Sequence, residues 1–224
     1  MNCLLVSATP FEIAPFLEKR AKNNAPASSA EASAKAGPDV LVSGIGLVAA
    51  AYAITRQLQL RKYDVVLQAG IAGCFDRQLP LGSVVSISRD TIADQGVMED
   101  GALKTVFDMK LAPENRFPYT KGWLVNPHKE WLKKTGLKAV KAISVNEIST
   151  GRKRIALLAE KYGAVAESME GAAFHYACLM EGVPFVQLRG LSNYVGERNK
   201  AKWKMKDSIM ALNEELEELI NMII

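Results

Sequence analysis

Cysteine is scarce: Cys3, Cys74 and Cys178 are the only three in 224 residues, each beside apolar neighbours, and no C-x-x-C pair occurs. Zinc and dithiol chemistry therefore lack local support, and the three read as buried free thiols of a reducing compartment. Long apolar runs are missing as well, since no stretch nears the roughly 18 residues of a membrane-spanning helix. The first residues carry no basic region, and Ser7, Thr9 and Pro10 break their apolar run. A secretory signal is not expected, and the chain reads as cytoplasmic. Nor does one sign of charge dominate: 28 Lys and Arg stand against 24 Asp and Glu, dispersed along the chain, for a net +4. Neither a nucleic acid nor a membrane is expected as partner. There is no internal repeat.

What is present is core material. Hydrophobic residues make up 49% and charged residues 23% of the chain, which suits one α/β domain over residues 1–224. Short apolar runs alternate with helical patterns. Strands are expected at Cys3 to Ala8, Asp39 to Ser43, Asp64 to Ala69, Val84 to Ser88, Trp123 to Val125, Lys138 to Val145, Val165 to Ser168 and Pro184 to Leu191. Helices are expected after the first strand through Leu17, over Leu47 to Leu60, Arg152 to Tyr162, Gly171 to Glu181 and Asp207 to Ile224, and from Pro127, where Asn126 looks like an N-cap. The fold class that follows is a three-layer α/β sandwich, with helices on both faces of a mixed, mostly parallel sheet. Ala21 to Gly37, rich in Ala and Ser, reads as a mobile surface connection.

Gly44-Ile45-Gly46-Leu47-Val48-Ala49 has the outline of a dinucleotide-binding turn, with Asp64 about 20 residues on. That acid begins a strand instead of ending one, so the glycines are better read as a tight turn admitting a close neighbour. No cofactor is expected. Thr9-Pro10-Phe11-Glu12 is a capping box with proline at the first helical position, and Glu12 also lies at the carboxyl end of the first strand. Gly70-Ile71-Ala72-Gly73 reads as a small-residue loop after the third strand. Ser168-Met169-Glu170 opens a helix whose dipole favours a glutamate there. Leu191-Ser192-Asn193 follows a late strand that carries Arg189. With mostly parallel strands, Glu12, the Gly70 loop, Glu170 and Asn193 share one sheet edge. Two carboxylates and an amide in one cleft suit N-glycosidic cleavage through an oxocarbenium-like ribose.

The motifs V-S-A-T-P-F-E, G-I-A-G-C-F, E-S-M-E-G-A-A and Q-L-R-G-L-S-N-Y together resemble the purine nucleoside phosphorylase/nucleosidase superfamily. They are similar to the methylthioadenosine/S-adenosylhomocysteine nucleosidases and, still more, to the futalosine hydrolases of menaquinone biosynthesis. The resemblance implies roles residue by residue. Glu12 falls where nucleosidases keep the glutamate that activates water, and Arg189 on an arginine that helps hold that water. Met169 and Glu170 fall on a Met-Glu pair whose glutamate binds the ribose hydroxyls. Ile71, Ala72 and Gly73 fall beside ribose and base, Ile71 replacing a serine common in adenosine-type enzymes. Asn193 replaces a general-acid aspartate.

An asparagine cannot give up a proton, but its NH₂ can donate to N7 and O6 of a 6-oxopurine. The expected reaction is hydrolysis of futalosine, an inosine with a 5′-linked carboxyphenyl arm, to hypoxanthine and dehypoxanthine futalosine. Arg116, Arg152 and Arg198 are the candidates for the arm's carboxylate. Alternatives are phosphorolysis, a methylthioadenosine or aminodeoxyfutalosine substrate, and a non-catalytic nucleoside binder. No metal is expected. The resemblance also implies a homo-oligomer, with Tyr52 and Phe75 as candidate apolar surface.

Overall fold

The computed structural model describes residues 1–23 and 37–224. In chain order the elements are β1 (Cys3–Ser7), α1 (Ala14–Asn23), β2 (Asp39–Val42), α2 (Leu47–Leu60), β3 (Val65–Cys74), β4 (Val84–Asp90), β5 (Gly96–Glu99), β6 (Ala102–Thr105), β7 (Tyr119–Thr120) and β8 (Trp123–Val125). There follow α3 (Lys129–Lys134), β9 (Ala139–Ser144), α4 (Arg152–Tyr162), β10 (Ala166–Ser168), α5 (Gly171–Glu181), β11 (Phe185–Tyr194) and α6 (Met205–Ile223). A 3-10 turn at Pro10–Ile13 leads into α1.

The strands form a nine-stranded mixed sheet in the order β2-β1-β3-β10-β9-β4-β8-β7, with β11 pairing both β3 and β4. β3, β11, β4, β9 and β10 thereby close into a ring. Small and branched side chains from alternate positions, among them Ala72, Val85, Ile87, Val140, Ala142 and Leu191, pack together as its interior. β1 and β2 extend the sheet beyond the ring.

Helices cover both faces. Leu4, Val6 and Val66 pack against Ile54 of α2 and Phe174 of α5, while Leu5, Val65 and Leu67 pack against Phe16 of α1 and Leu212 and Leu216 of α6. Because both faces of β1 are covered, consecutive residues Leu4, Leu5 and Val6 are all wholly buried. Each contributes roughly 1.5–3 kcal/mol of transfer free energy. All three cysteines are free and buried, and burial pushes the Cys3 thiol up to about 12. Among the described residues, no helix is long and apolar enough to cross a membrane.

Several boundaries differ from the sequence expectation. Gly70-Ile71-Ala72-Gly73 is not a loop, because β3 runs on through it to Cys74, and β11 likewise extends to Tyr194. Between β4 and β8, where no strand is expected, lie β5, β6 and β7. α3 begins at Lys129, since Asn126 serves a turn: its Oδ1 accepts the His128 N–H at 2.9 Å and its Nδ2 donates to Phe185 O at 2.8 Å. Ala21 to Asn23 close α1, and the remainder of the expected connection, 24–36, lies outside the described residues. Phe75 is half-buried, packing in part against the cluster of Ala93, Ile143 and Leu158.

Candidate active site

The site forms at a fork in the sheet. β1 pairs with β3 only at Val65 to Gln68, and β10 pairs with β3 only at Gly73 and Cys74. Between them, the Ala69 to Ala72 edge of β3 has no strand partner among the described strands. Side chains fill the gap. Ile71 N–H donates to Glu12 Oε1 at 3.0 Å, and Ile71 O accepts from Arg189 Nη1 at 3.4 Å.

Glu12 reaches this edge because Thr9 is extended (φ −137°, ψ 153°), Pro10 sets the first turn, and Glu12 occupies the third position. Its Oε2 accepts from Thr9 N–H at 3.1 Å, Thr9 Oγ1 at 3.2 Å and Ser7 Oγ at 3.2 Å. The capping and site roles thus divide between the two oxygens. From α6, Asn213 Nδ2 donates to Glu12 O at 2.9 Å and its Oδ1 accepts the Phe16 N–H at 3.1 Å, tying the turn to the far helix.

Arg189 crosses from β11 over Gly70, with which it is paired in register. A Cβ on Gly70 would collide with Arg189 Nη1 and lie 2.9 Å from Glu12 Oε1, so only glycine admits both side chains. The guanidinium is 1% exposed; Nη2 donates to Gln68 Oε1 at 3.1 Å, and Nη1 lies 3.8 Å from Glu170 Oε2. Glu170 sits at the N-terminus of α5, where its Oε1 accepts the Gly46 N–H at 3.0 Å. Gly46 holds φ +94° at the start of α2, so the glycine turn admits the Glu170 carboxylate.

Asn193 ends the arc. Its Oδ1 accepts the Ser192 hydroxyl at 2.9 Å and its Nδ2 donates to Tyr194 O at 3.1 Å. That orientation leaves the second amide hydrogen for a ligand. Glu12, Ile71, Ala72, Gly73, Met169, Glu170 and Asn193 all line one cavity of about 290 Å³. Arg189 lies beneath it. Of the three candidate arginines, Arg198 lines the cavity beside Trp203, 5.7 Å above whose ring its guanidinium stands. Arg116 and Arg152 are exposed and do not line it.

The four stations do not share a carboxyl edge of parallel strands. β10 runs antiparallel to β3, so its end delivers Met169 and Glu170 toward the middle of β3. Other residues of the site had no sequence signal. Gln68 is a polar residue in the apolar run of β3, Asp90 ends β4 after Ser88 and Arg89, and only their partners single them out. Asp90 is fully buried; its Oδ1 accepts from Thr91 N–H at 2.8 Å and Ser144 Oγ at 3.0 Å. Burial pushes its carboxyl up to about 6, against the opposing pull of Arg189 and of hydrogen bonds from Ser144, Gln187 and Thr91. Among the described residues, no group of three His, Cys, Asp or Glu side chains could hold a metal.

The family model of the phosphorylase superfamily matches residues 3–224. Futalosine hydrolase of Thermus thermophilus is 34% identical over 183 residues, 80% of each chain. A 5′-methylthioadenosine/S-adenosylhomocysteine nucleosidase of Colwellia psychrerythraea is 31% identical over 175 residues, 73% of this chain and 70% of that one. Among solved structures, futalosine hydrolase of Helicobacter pylori shares the fold with a TM-score of 0.77 at 18% identity, covering 99% of this chain and 98% of that one.

Proposed function

The chain belongs to the phosphorylase superfamily, and we propose that it hydrolyses the N-glycosidic bond of futalosine, releasing hypoxanthine. The observation that carries this reading is the divided Glu12 carboxylate. Three donors hold Oε2, while Oε1, bonded to Ile71 N–H, keeps a lone pair toward the cavity. A water there bonds through its oxygen to ribose C1′, its proton passes to Glu12, and the C1′–N9 electron pair leaves with the base. Arg189, 3.8 Å from Glu170, neutralises the second carboxylate, which accepts from the ribose hydroxyls. The free Asn193 N–H donates to N7 as charge develops on the base. Asparagine supplies no proton, so the base leaves as an anion and is protonated from solvent. Hypoxanthine suits this better than adenine.

Among the described lining residues Arg198 is the only cation, which is too little for phosphate and suited to a single carboxylate. Arg198 for the carboxylate and Trp203 for the aryl ring fit a carboxyphenyl arm. Val48 and Tyr52, 83% and 70% exposed on α2, offer apolar surface for self-association as a homo-oligomer. The test is to incubate the protein with futalosine, inosine and methylthioadenosine in phosphate-free buffer and identify the base by chromatography. Hypoxanthine from futalosine is expected. Release only after phosphate is added, or adenine from methylthioadenosine alone, overturns the reading.

A further inference from the structure

Glu167 has no part in the chemistry above. It is the middle residue of β10, 6% exposed, and it lines the cavity. Its Oε1 accepts the Ser149 N–H at 3.1 Å, whereas Oε2 has no hydrogen-bond partner among the described residues. A buried carboxylate oxygen without a donor is costly, and such groups are rare in folded proteins.

The strand register shows what the donor could be. Gly73 of β3 is paired with Glu167 on one edge and with Asn193 on the other. Paired residues present their side chains on one face, roughly 5 Å apart, so Glu167 and Asn193 stand on either side of Gly73 with backbones roughly 10 Å apart. A Cβ built on Gly73 would lie 3.0 Å from Val195 Cγ2 and 3.7 Å from Asn193 Nδ2, which puts the amide, with Val195 beside it, on the face where glycine carries no side chain. The result is a slot with an amide donor on one wall and a carboxylate acceptor on the other. A purine whose N7 meets Asn193 turns its six-membered ring toward the opposite wall. There the two classes of base differ: a 6-oxopurine carries a hydrogen on N1, and a 6-aminopurine carries a lone pair.

We propose that Glu167 is a specificity-determining residue, its carboxylate accepting a hydrogen bond from N1–H of a 6-oxopurine and repelling the bare N1 of a 6-aminopurine. This rests on the nucleosidase reading and names a second half of its base recognition. Burial pushes the Glu167 carboxyl up, opposed by the Ser149 contacts, and a ligand N–H supplies the partner that Oε2 lacks.

The test is calorimetric titration of hypoxanthine, adenine and 1-methylhypoxanthine into the protein and into Glu167→Gln. Glutamine keeps an oxygen for Ser149 N–H, so a purely structural role predicts no change in base preference, and thermal melting checks that the fold is kept. The wild type is expected to favour hypoxanthine over both other bases. In E167Q, hypoxanthine affinity falls about 10- to 100-fold while adenine affinity holds or rises, as for a lost charge-assisted hydrogen bond. Wild type that binds no base, or does not separate hypoxanthine from 1-methylhypoxanthine, overturns the proposal, as does an unchanged preference in E167Q. Failure to cleave futalosine would overturn the hydrolase reading alone, because base binding is measured without turnover.

Discussion

A methyl group at position 70 is the smallest change that reaches both halves of the proposed water site. In Gly70→Ala the new carbon lies 2.9 Å from Glu12 Oε1 and closer still to Arg189 Nη1. Ordinary separations begin near 3.5 Å, so Glu12 must retreat by about 0.6 Å and Arg189 by more. Arg189 has little room to do so, being 1% exposed and bonded to Gln68 and to Ile71 O. Glu12 is bound through Ser7 and Thr9, and its turn is anchored by Asn213. Overpacking of this kind costs about 1–3 kcal/mol of stability. Displacement of a reacting group by a large fraction of an ångström costs up to about 100-fold in rate. The expected outcome is a kcat/KM for base release lowered about 30- to 100-fold, mainly in kcat. The melting temperature should drop while the protein stays folded. The assay is continuous release of hypoxanthine in phosphate-free buffer, with thermal unfolding followed alongside. Activity within threefold of wild type would refute the claim that Gly70 exists to admit Arg189 and Glu12.

Three further outcomes follow from the same geometry. Glu12→Gln should lose about 10²- to 10⁴-fold in kcat and about 1–3 kcal/mol of stability, because glutamine completes the capping box with its oxygen but turns its NH₂ onto the Ile71 N–H; chromatographic rate assays and chemical denaturation check the two halves. Asn193→Asp should weaken cleavage of futalosine by about tenfold or more at neutral pH, since the carboxylate replaces the free donor to N7 with an acceptor; unchanged kcat/KM would refute the role given to the amide. For Asp90, the folded-state value of about 6 lies above the ordinary 3.8, so its burial favours folding below pH 4 and that contribution is lost as pH rises through 6. Denaturant unfolding of wild type and Asp90→Asn at pH 4 and 7.5 should show the difference in stability moving toward the variant by up to about 3 kcal/mol.

Periodicity made the covered elements legible. Leu47 to Leu60 carries an apolar stripe between a glycine turn and a polar stop, and α2 has those bounds. Arg152 to Tyr162 and Gly171 to Glu181 are likewise framed by glycine at both ends. Glu12 could be found because a capping box is a local pattern, and its second oxygen was free to act elsewhere. Small residues misled at Gly70 to Gly73, where weak strand propensity hides a strand held by neighbours on the ring and by side chains at the fork. The reversed direction of β10 was not legible either, since periodicity does not report which way a strand runs against its partner. Gln68 lies within an apolar run, Asp90 and Glu167 sit on strands with no local pattern that assigns them a role, and their meaning depends on residues 18 to 121 positions away.

The fork has a consequence for how this site can change. Glu12 and Arg189 are indexed to the main chain of residue 71, through its N–H and its carbonyl, and not to its side chain. Almost any L-residue can occupy position 71 without moving the proposed water-activating pair, while its side chain remains in the cavity wall. A position that resemblance marks as a departure from the adenosine-type enzymes is therefore an adjustable one. Substrate preference can drift there over evolutionary time while the hydrolytic apparatus stays registered to the backbone.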